Sequence, residues 1–461
     1  MHVGACLLIE GPPPSHEELV DALQSRLHLV PRYRQRLAFV PLGQGRPVWV
    51  DDPHFNPNFH VRHTALPRPG GEEQLARLAG RVFSQALDRS RPLWEIWLVE
   101  GVAEGRFALL SKTHHALVDG VSGVDVLSVL FDTSREPMPV APSPGEWVPR
   151  PLPSAAQLLA DALLERATVP TEIARSVRRA LRGPRQLARR AGAALAGLGA
   201  MTWSGMQPAP PSPFNVRIGP HRRYRWVAAQ LADFKLVKNR LGGTVNDVVL
   251  AVVAGALGSY MRLHGHETEG MELKAMVPVS VRADLERGAL GNRVAAMWAP
   301  LPVGVIDPAR RLALVREAMR EVKESGQAVG AQVLTALSGF APPTIMAQAA
   351  RLQARQRLFN LVVTNVPGPQ MPLYVLGREL LELYPMVPLA ENTALGIAIM
   401  SYNGRLGFGL SGDYDALSDL DVLARELKAA IAEMVAAARG PQRGSPAGGR
   451  RARLRAVRPA Q

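Results

Sequence analysis

Apolar positions along the chain follow two rhythms, and these divide it into strands and helices. Residues 3–9 form an apolar run of strand length. The next apolar stripe, Leu19, Ala22, Leu23 and Leu27, has helical spacing and lies behind Ser15, with Glu18 at the distance of a capping box. Residues 72–87 repeat the helical rhythm, placing Leu75, Leu78, Ala79, Val82, Phe83 and Ala86 on one face. Residues 92–99 and 107–113 read as two strands joined through the turn Ala103-Glu104-Gly105, and residues 121–130 return to helical spacing.

The second half repeats this mixture. Residues 224–231 read as a strand, and Thr244 caps a helix over 245–264 with Asp247 in the box position. Strands are predicted at 273–281 and 294–302, and a helix at 308–325. A buried strand over 360–366 is stopped by Pro367-Gly368-Pro369. Residues 394–402 and 405–410 flank Asn403-Gly404, the strongest hairpin signal in the chain, and a helix over 417–438 follows.

A chain of 461 residues exceeds what one ordinary core organises, so two domains are expected. The pattern divides it into a first half at 1–136, a connector at 137–215, a second half at 216–438 and a tail at 439–461. Both halves mix strands and helices, an α/β fold of the α+β type, compatible with a distant duplication. The connector is bounded by prolines and carries Ala-, Leu- and Arg-rich helical stretches at 155–166, 172–182 and 185–198. Their basic amphipathic character suits an interfacial helix on a membrane, and equally a crossover helix packed on the body.

Charge sharpens this division. The net charge is +14, of which residues 165–190 contribute +6 and residues 439–461 contribute +7. The rest is nearly neutral, so contact with an anionic surface is expected of these two segments if they are more than a solvated face and a disordered tail. Nucleic acid is disfavoured, because no aromatic residues are interleaved with the arginines as stacking platforms. No uninterrupted apolar stretch is long enough to span a bilayer, and Glu10 with its neighbouring prolines breaks any signal-peptide pattern at the start. Cys6 is the only cysteine, which excludes a disulfide framework and a cysteine-based metal cluster. A cytoplasmic protein fits these features.

The chemistry concentrates in His114-His115-Ala116-Leu117-Val118-Asp119-Gly120, where the strand at 107–113 hands over to a helix. Adjacent histidines on an extended segment point to opposite faces and rarely chelate one ion, so a metal site would need His264 or His266, which only a polar turn commends. A general base needs one imidazole facing a cleft, with a loop to hold it, and Asp119 is placed to bind backbone amides or an arginine. Each histidine alone would more often be a satisfied structural residue.

The stretch 114–120 resembles the HHxxxDG signature of the bacterial wax ester synthase/diacylglycerol acyltransferase family. Pro92-Leu93-Trp94, Thr244-Val245-Asn246-Asp247-Val248 and Pro278-Val279-Ser280-Val281-Arg282 agree with the same family. So do Gly291-Asn292-Arg293, Asn365-Val366-Pro367-Gly368-Pro369 and Ser401-Tyr402-Asn403-Gly404-Arg405-Leu406. The histidine motif alone is shared with peptide-synthetase condensation domains and other coenzyme A-dependent acyltransferases; the combination is specific, and it runs from about His2 to Ala438. The family usually carries a further segment ahead of the stretch matching Met1-His2-Val3-Gly4, and the arginine-rich tail beyond Arg439 is not part of its pattern.

The resemblance implies two chloramphenicol-acetyltransferase-like domains with a tunnel at their interface and His115 midway along it. Acyl-coenzyme A is the implied co-substrate, with no cofactor and no metal, and the implied acceptor is diacylglycerol or a long-chain fatty alcohol. His115 would be the catalytic base in a direct transfer without an acyl-enzyme. His114 would shape the pocket, Asp119 would hold the loop through an arginine such as Arg282, and Gly120 would permit the turn. Asn246 would either face the tunnel or cap its helix, and Trp94 is expected to be packing. Triacylglycerol formation is the expected activity and wax ester synthesis the alternative. A stand-alone condensation-type domain and a non-catalytic lipid-surface protein are the readings from other classes. Peripheral contact with the inner face of the membrane or with a lipid droplet is expected.

Overall fold

The computed structural model describes residues 2–117, 129–137, 145, 147–165, 208–280, 294–324 and 358–440. Its strands in chain order are β1 (His2–Ile9), β2 (Gln35–Ala38), β3 (Val48–Asp51), β4 (Val61–Ala65), β5 (Trp94–Glu100), β6 (Phe107–His114) and β7 (Arg222–Gln230). They continue as β8 (Leu273–Ser280), β9 (Val294–Leu301), β10 (Leu361–Pro367), β11 (Tyr374–Val375), β12 (Arg378–Met386), β13 (Leu395–Tyr402) and β14 (Arg405–Asp413).

Two six-stranded sheets organise the molecule. The first has the order β11-β12-β1-β6-β5-β4, and the second β7-β14-β13-β10-β8-β9. Residues 374–386, from the second half of the chain, thus supply two strands of the first sheet. β1 lies antiparallel between β6 and β12, with Cys6 opposite Leu110 on one side and Tyr384 on the other. Both faces of the sheet are covered here, which explains why β1 and β6 read as continuous apolar runs. Alternate β6 residues serve two cores: Phe107 and Leu109 face one with Trp94 and Ile96, while Ala108 and Leu110 face another with Val82 and Phe83.

In the second sheet β10 runs parallel to β8 and β13, and the other pairings are antiparallel. The helix Val245–Leu263 is apolar nearly all round and is correspondingly buried along most of its length, beside helices Pro308–Glu324 and Leu420–Arg439. No single described helix is long and apolar enough to cross a membrane. Helices Leu231–Leu241 and Val245–Leu263 reach that length and composition only as a pair bent by 100°.

The sheets meet where β14 crosses β12. A Cβ on Gly407 would lie 1.9 Å from the Leu383 carbonyl oxygen, and one on Gly409 1.7 Å from that of Pro385, so only glycine permits this crossing. The Tyr224 hydroxyl, from β7, closes the junction by donating to the Tyr384 and Pro385 carbonyls at 2.8 and 3.0 Å.

Most predicted elements are present, with shifted ends. The final helix starts at Leu420 rather than 417, because Asp413 accepts from the amides of Asp415 and Ala416 and holds a turn there. The helix predicted over 72–87 ends at Ser84. The short strands β2, β3 and β4 and the crossover strand β12 were not among the expected elements. A helix at 155–165 matches the first connector stretch. The stretches at 172–182 and 185–198, the helix at 121–130 apart from its last residues, and the tail beyond 440 lie outside the described residues.

Candidate active site

β6 ends in the histidine pair, and its register fixes the surroundings. Thr113 stands between Val3 of β1 and Trp94 of β5, and His114 lies opposite His2. The His114 amide donates to the Leu93 carbonyl at 2.9 Å, and the Leu117 amide donates back to the His114 carbonyl at 2.8 Å, turning the chain at once. The Ala116 amide donates to His114 Nδ1 at 3.1 Å. That bond makes Nδ1 an acceptor, so neutral His114 carries its proton on Nε2. Burial holds the His114 imidazole below its ordinary value. His115, by contrast, is exposed in the turn. The two histidines are therefore not equivalent: one is tied to its own loop and the other is presented outward. Val118, Asp119, Gly120 and Arg282 lie outside the described residues.

Two buried ionic anchors flank the turn, and neither was expected from the sequence. Lys112, wholly inaccessible, pairs with Glu95 at 3.2 Å and donates to the Val82 and Gln85 carbonyls, both at 3.2 Å. Those carbonyls end helix Glu72–Ser84, where the helix dipole is negative and an ammonium group is favoured. Glu95 also pairs with Arg62 at 3.6 Å. Burial lowers the Lys112 ammonium below its usual value, with Glu95 opposing. On the return side, Arg26 grips both carboxylate oxygens of Asp132 at 2.8 and 2.9 Å and donates to the Val129 carbonyl at 3.2 Å. Asp132 exchanges backbone bonds with Tyr374, so the segment after the motif is fastened to the crossover.

Trp94 is packing, as expected. Its indole N–H donates to the Tyr33 carbonyl at 2.9 Å, and its ring stacks on buried His60 at 4.5 Å. Asn246 is relieved of the capping role, because Thr244 and Asp247 form the box between themselves. The Asn246 side-chain oxygen instead accepts from Asn365 Nδ2 at 3.3 Å. Asn365 opens the stretch 365–369 at the end of β10. That stretch continues into a turn locked to the stretch 401–406: Gly368 donates to Ser401 Oγ, and Gln370 bridges Ser401 Oγ and the Gly404 amide. Tyr402 then accepts from the Leu373 amide and donates to the Leu380 carbonyl, carrying the second sheet into the core of the first.

Among the described residues no group of three His, Cys, Asp or Glu could hold a metal ion. His264 is engaged elsewhere: Nδ1 donates to the Tyr260 carbonyl and Nε2 to Asp419, each at 2.8 Å. Two donating nitrogens define an imidazolium, and the Tyr260 carbonyl, seconded by Asp419, raises this histidine above its ordinary value. Its stabilisation is present below the unfolded value of 6.5 and is lost as pH rises through the higher folded value. His264→Gln is expected to cost up to about 1 kcal/mol near pH 6 and less near pH 9, as compared by urea unfolding at the two values; the group is partly exposed and therefore screened. An equal cost at both pH values would contradict the charged pair.

Two mixed sheets joined by a crossover, with a histidine turn at the end of a central strand, define the chloramphenicol-acetyltransferase-like class of acyltransferases. Residues 1–249 match the wax ester synthase/diacylglycerol acyltransferase catalytic domain, and residues 290–435 match the C-terminal domain of the same enzymes. The chain belongs to this family. It is 34% identical, over 94% of its length and 91% of the relative's, to the Mycobacterium tuberculosis protein named "Probable diacyglycerol O-acyltransferase tgs1". The solved wax ester synthase/diacylglycerol acyltransferase from Marinobacter aquaeolei VT8 is 28% identical and aligns with a TM-score of 0.65, covering 95% of each chain. The first condensation domain of the calcium-dependent antibiotic synthetase shares the fold at 18% identity and a TM-score of 0.56, over 94% and 92% of the two chains.

Proposed function

We propose that this acyltransferase moves a long-chain acyl group from acyl-coenzyme A to the free hydroxyl of diacylglycerol, giving triacylglycerol and coenzyme A. The observation that carries the mechanism is the inequality of the two histidines: His114 is spent on the Ala116 amide, while His115 stands exposed at the end of the strand. In this reading His115 takes the hydroxyl proton as the alcohol oxygen bonds to the thioester carbonyl carbon. The tetrahedral intermediate collapses with cleavage of the carbon–sulfur bond, and the imidazolium returns its proton to the thiolate. The step is balanced without a cofactor.

Direct transfer is supported by the state of the only thiol. Cys6 is fully buried in β1, and burial pushes its thiol up, away from the nucleophilic thiolate. Diacylglycerol as acceptor follows the names of the relatives, and because acceptor and product dissolve in lipid, the reading includes peripheral contact with the inner face of a membrane or with a lipid droplet.

The test is the purified full-length chain with labelled palmitoyl-coenzyme A, offered diolein and hexadecanol in separate reactions. Labelled triacylglycerol exceeding wax ester is the expected result. Preference for hexadecanol would make the chain a wax ester synthase, and turnover of neither would overturn the reading.

A further inference from the structure

Exposed apolar side chains gather in one unit of the described surface. Phe39 and Leu42 stand on the loop between β2 and β3, and Val148, Leu152, Leu163 and Leu164 stand on the connector, all exposed. Leu42 is 85% exposed at the tip and is held at φ 57°, a left-handed conformation disfavoured for any residue with a Cβ. Among the described residues none covers the Leu42 side chain.

Loop and connector are packed as one body. Val40 is buried beneath the tip, and a Cβ on Gly45 would lie 2.8 Å from the Ala162 Cβ and 2.9 Å from a Val40 methyl. Arg150 grips both carboxylate oxygens of Asp51 at 3.0 and 3.2 Å, fastening the connector to β3. Ala162 thus faces the loop. With about 3.6 residues per turn, Ala156, Ala160, Leu163 and Leu164 share the opposite face of the helix at 155–165, and all four are exposed. A helix in contact with water presents the reverse pattern.

The loop side of this surface is basic, and the two acidic residues of the helix, Asp161 and Glu165, line the groove toward Arg46 and Arg150 rather than the apolar face. Residues 27–50 contain Arg32, Arg34, Arg36 and Arg46 and no acidic residue, and Arg32 and Arg46 are exposed on either side of the tip. Apolar side chains beside exposed Arg32 and Arg46 fit an anionic lipid surface, where the former enter the acyl boundary and the latter meet phosphates. The unit also lies close to the chemistry. Tyr33, just ahead of β2, packs on Trp94 at 5.5 Å between ring centres, and Trp94 pairs with Thr113, two residues before His115.

We propose that this loop and the outer face of the helix at 155–165 seat the enzyme on an anionic phospholipid bilayer, from which its lipid acceptor is drawn. The proposal rests on the reading of the acceptor as a membrane lipid. It is tested by flotation of the full chain with phosphatidylcholine vesicles, with and without phosphatidylglycerol, beside a Phe39→Asp/Leu42→Asp variant. The wild type is expected to float preferentially with the anionic vesicles, less so as salt rises. The variant is expected to lose about tenfold in bound fraction while keeping its turnover of a short, water-soluble alcohol within about twofold.

Leu42→Gly supplies a second reading that misfolding cannot imitate: it relieves the backbone, so its melting temperature is expected to rise while its vesicle binding falls. A wild type that binds neither vesicle overturns both the surface and the membrane reading. Undiminished binding by the aspartate variant or by Leu42→Gly overturns this surface alone, as does equal binding to neutral and anionic vesicles.

Discussion

Replacing His115 by alanine is expected to lower the rate of ester formation by about a thousandfold, within the range of about 10² to 10⁴ that positioned general bases contribute. The turn places this imidazole outward at the end of β6, free of the amide bond that engages its neighbour, so its loss removes the base without removing a support. The fold should tolerate the change, and the melting temperature of the variant should match that of the wild type. His114→Ala should behave oppositely. Its ring anchors the Ala116 amide and is half-buried, so its removal should loosen the turn and cost stability, with a rate loss of about tenfold from misplacement. Kinetics with palmitoyl-coenzyme A and diolein, alongside thermal unfolding, separate the two roles. A His115→Ala enzyme within about tenfold of wild type would remove this residue from the mechanism.

The largest effect on stability is expected from Lys112→Met, at about 3 to 5 kcal/mol, the cost of stripping one partner from a buried ion pair. The methionine would fill much of the same slot, so the loss would be chiefly electrostatic. Glu95 would keep Arg62 at 3.6 Å and the Trp97 indole N–H at 3.2 Å, but would lose its closest cation. The Val82 and Gln85 carbonyls would lose their donor together. Because these groups tie helix Glu72–Ser84 to the strand three residues before His115, the surviving folded enzyme should also lose turnover. Lys112→Arg should restore little, since the slot is inaccessible and cannot take a broader guanidinium head without displacing Val82 or Gln85. Urea unfolding measures the shift; a loss under about 1 kcal/mol would mean the cluster contributes no more than a surface pair.

What was legible in the sequence is what is local along it. Ser15 with Glu18, and Thr244 with Asp247, announce their helices because a capping box spans only three residues, and both boxes are formed. Asn403-Gly404 announces its hairpin for the same reason, with φ of 43° and 78° at the two positions. The histidine motif is equally compact. What escaped depends on register or on pairing across the chain. Lys112 reads as a polar residue within an apolar strand until Glu95 is found opposite it, and Arg26 reads as a helix end until Asp132 arrives from 106 positions away. β2 and β3 are four residues each, too short for either rhythm to be visible in them. Residues 378–386 gave no reason to expect that their partner would be the first strand of the chain.

That pairing sets an order on how the molecule can be made. β1 is made early, yet its outer neighbour is synthesised only after a stretch of about four-fifths of this sequence has followed. Through that interval the strand has β6 on one side and an open, apolar edge on the other, the kind of edge that recruits the wrong partner. The long sequence separation makes closure slow as well as late. A nascent chain stalled before residue 386, or a first half produced by itself, is therefore not a smaller version of this enzyme. It is an unfinished sheet that needs shelter until its last strand arrives.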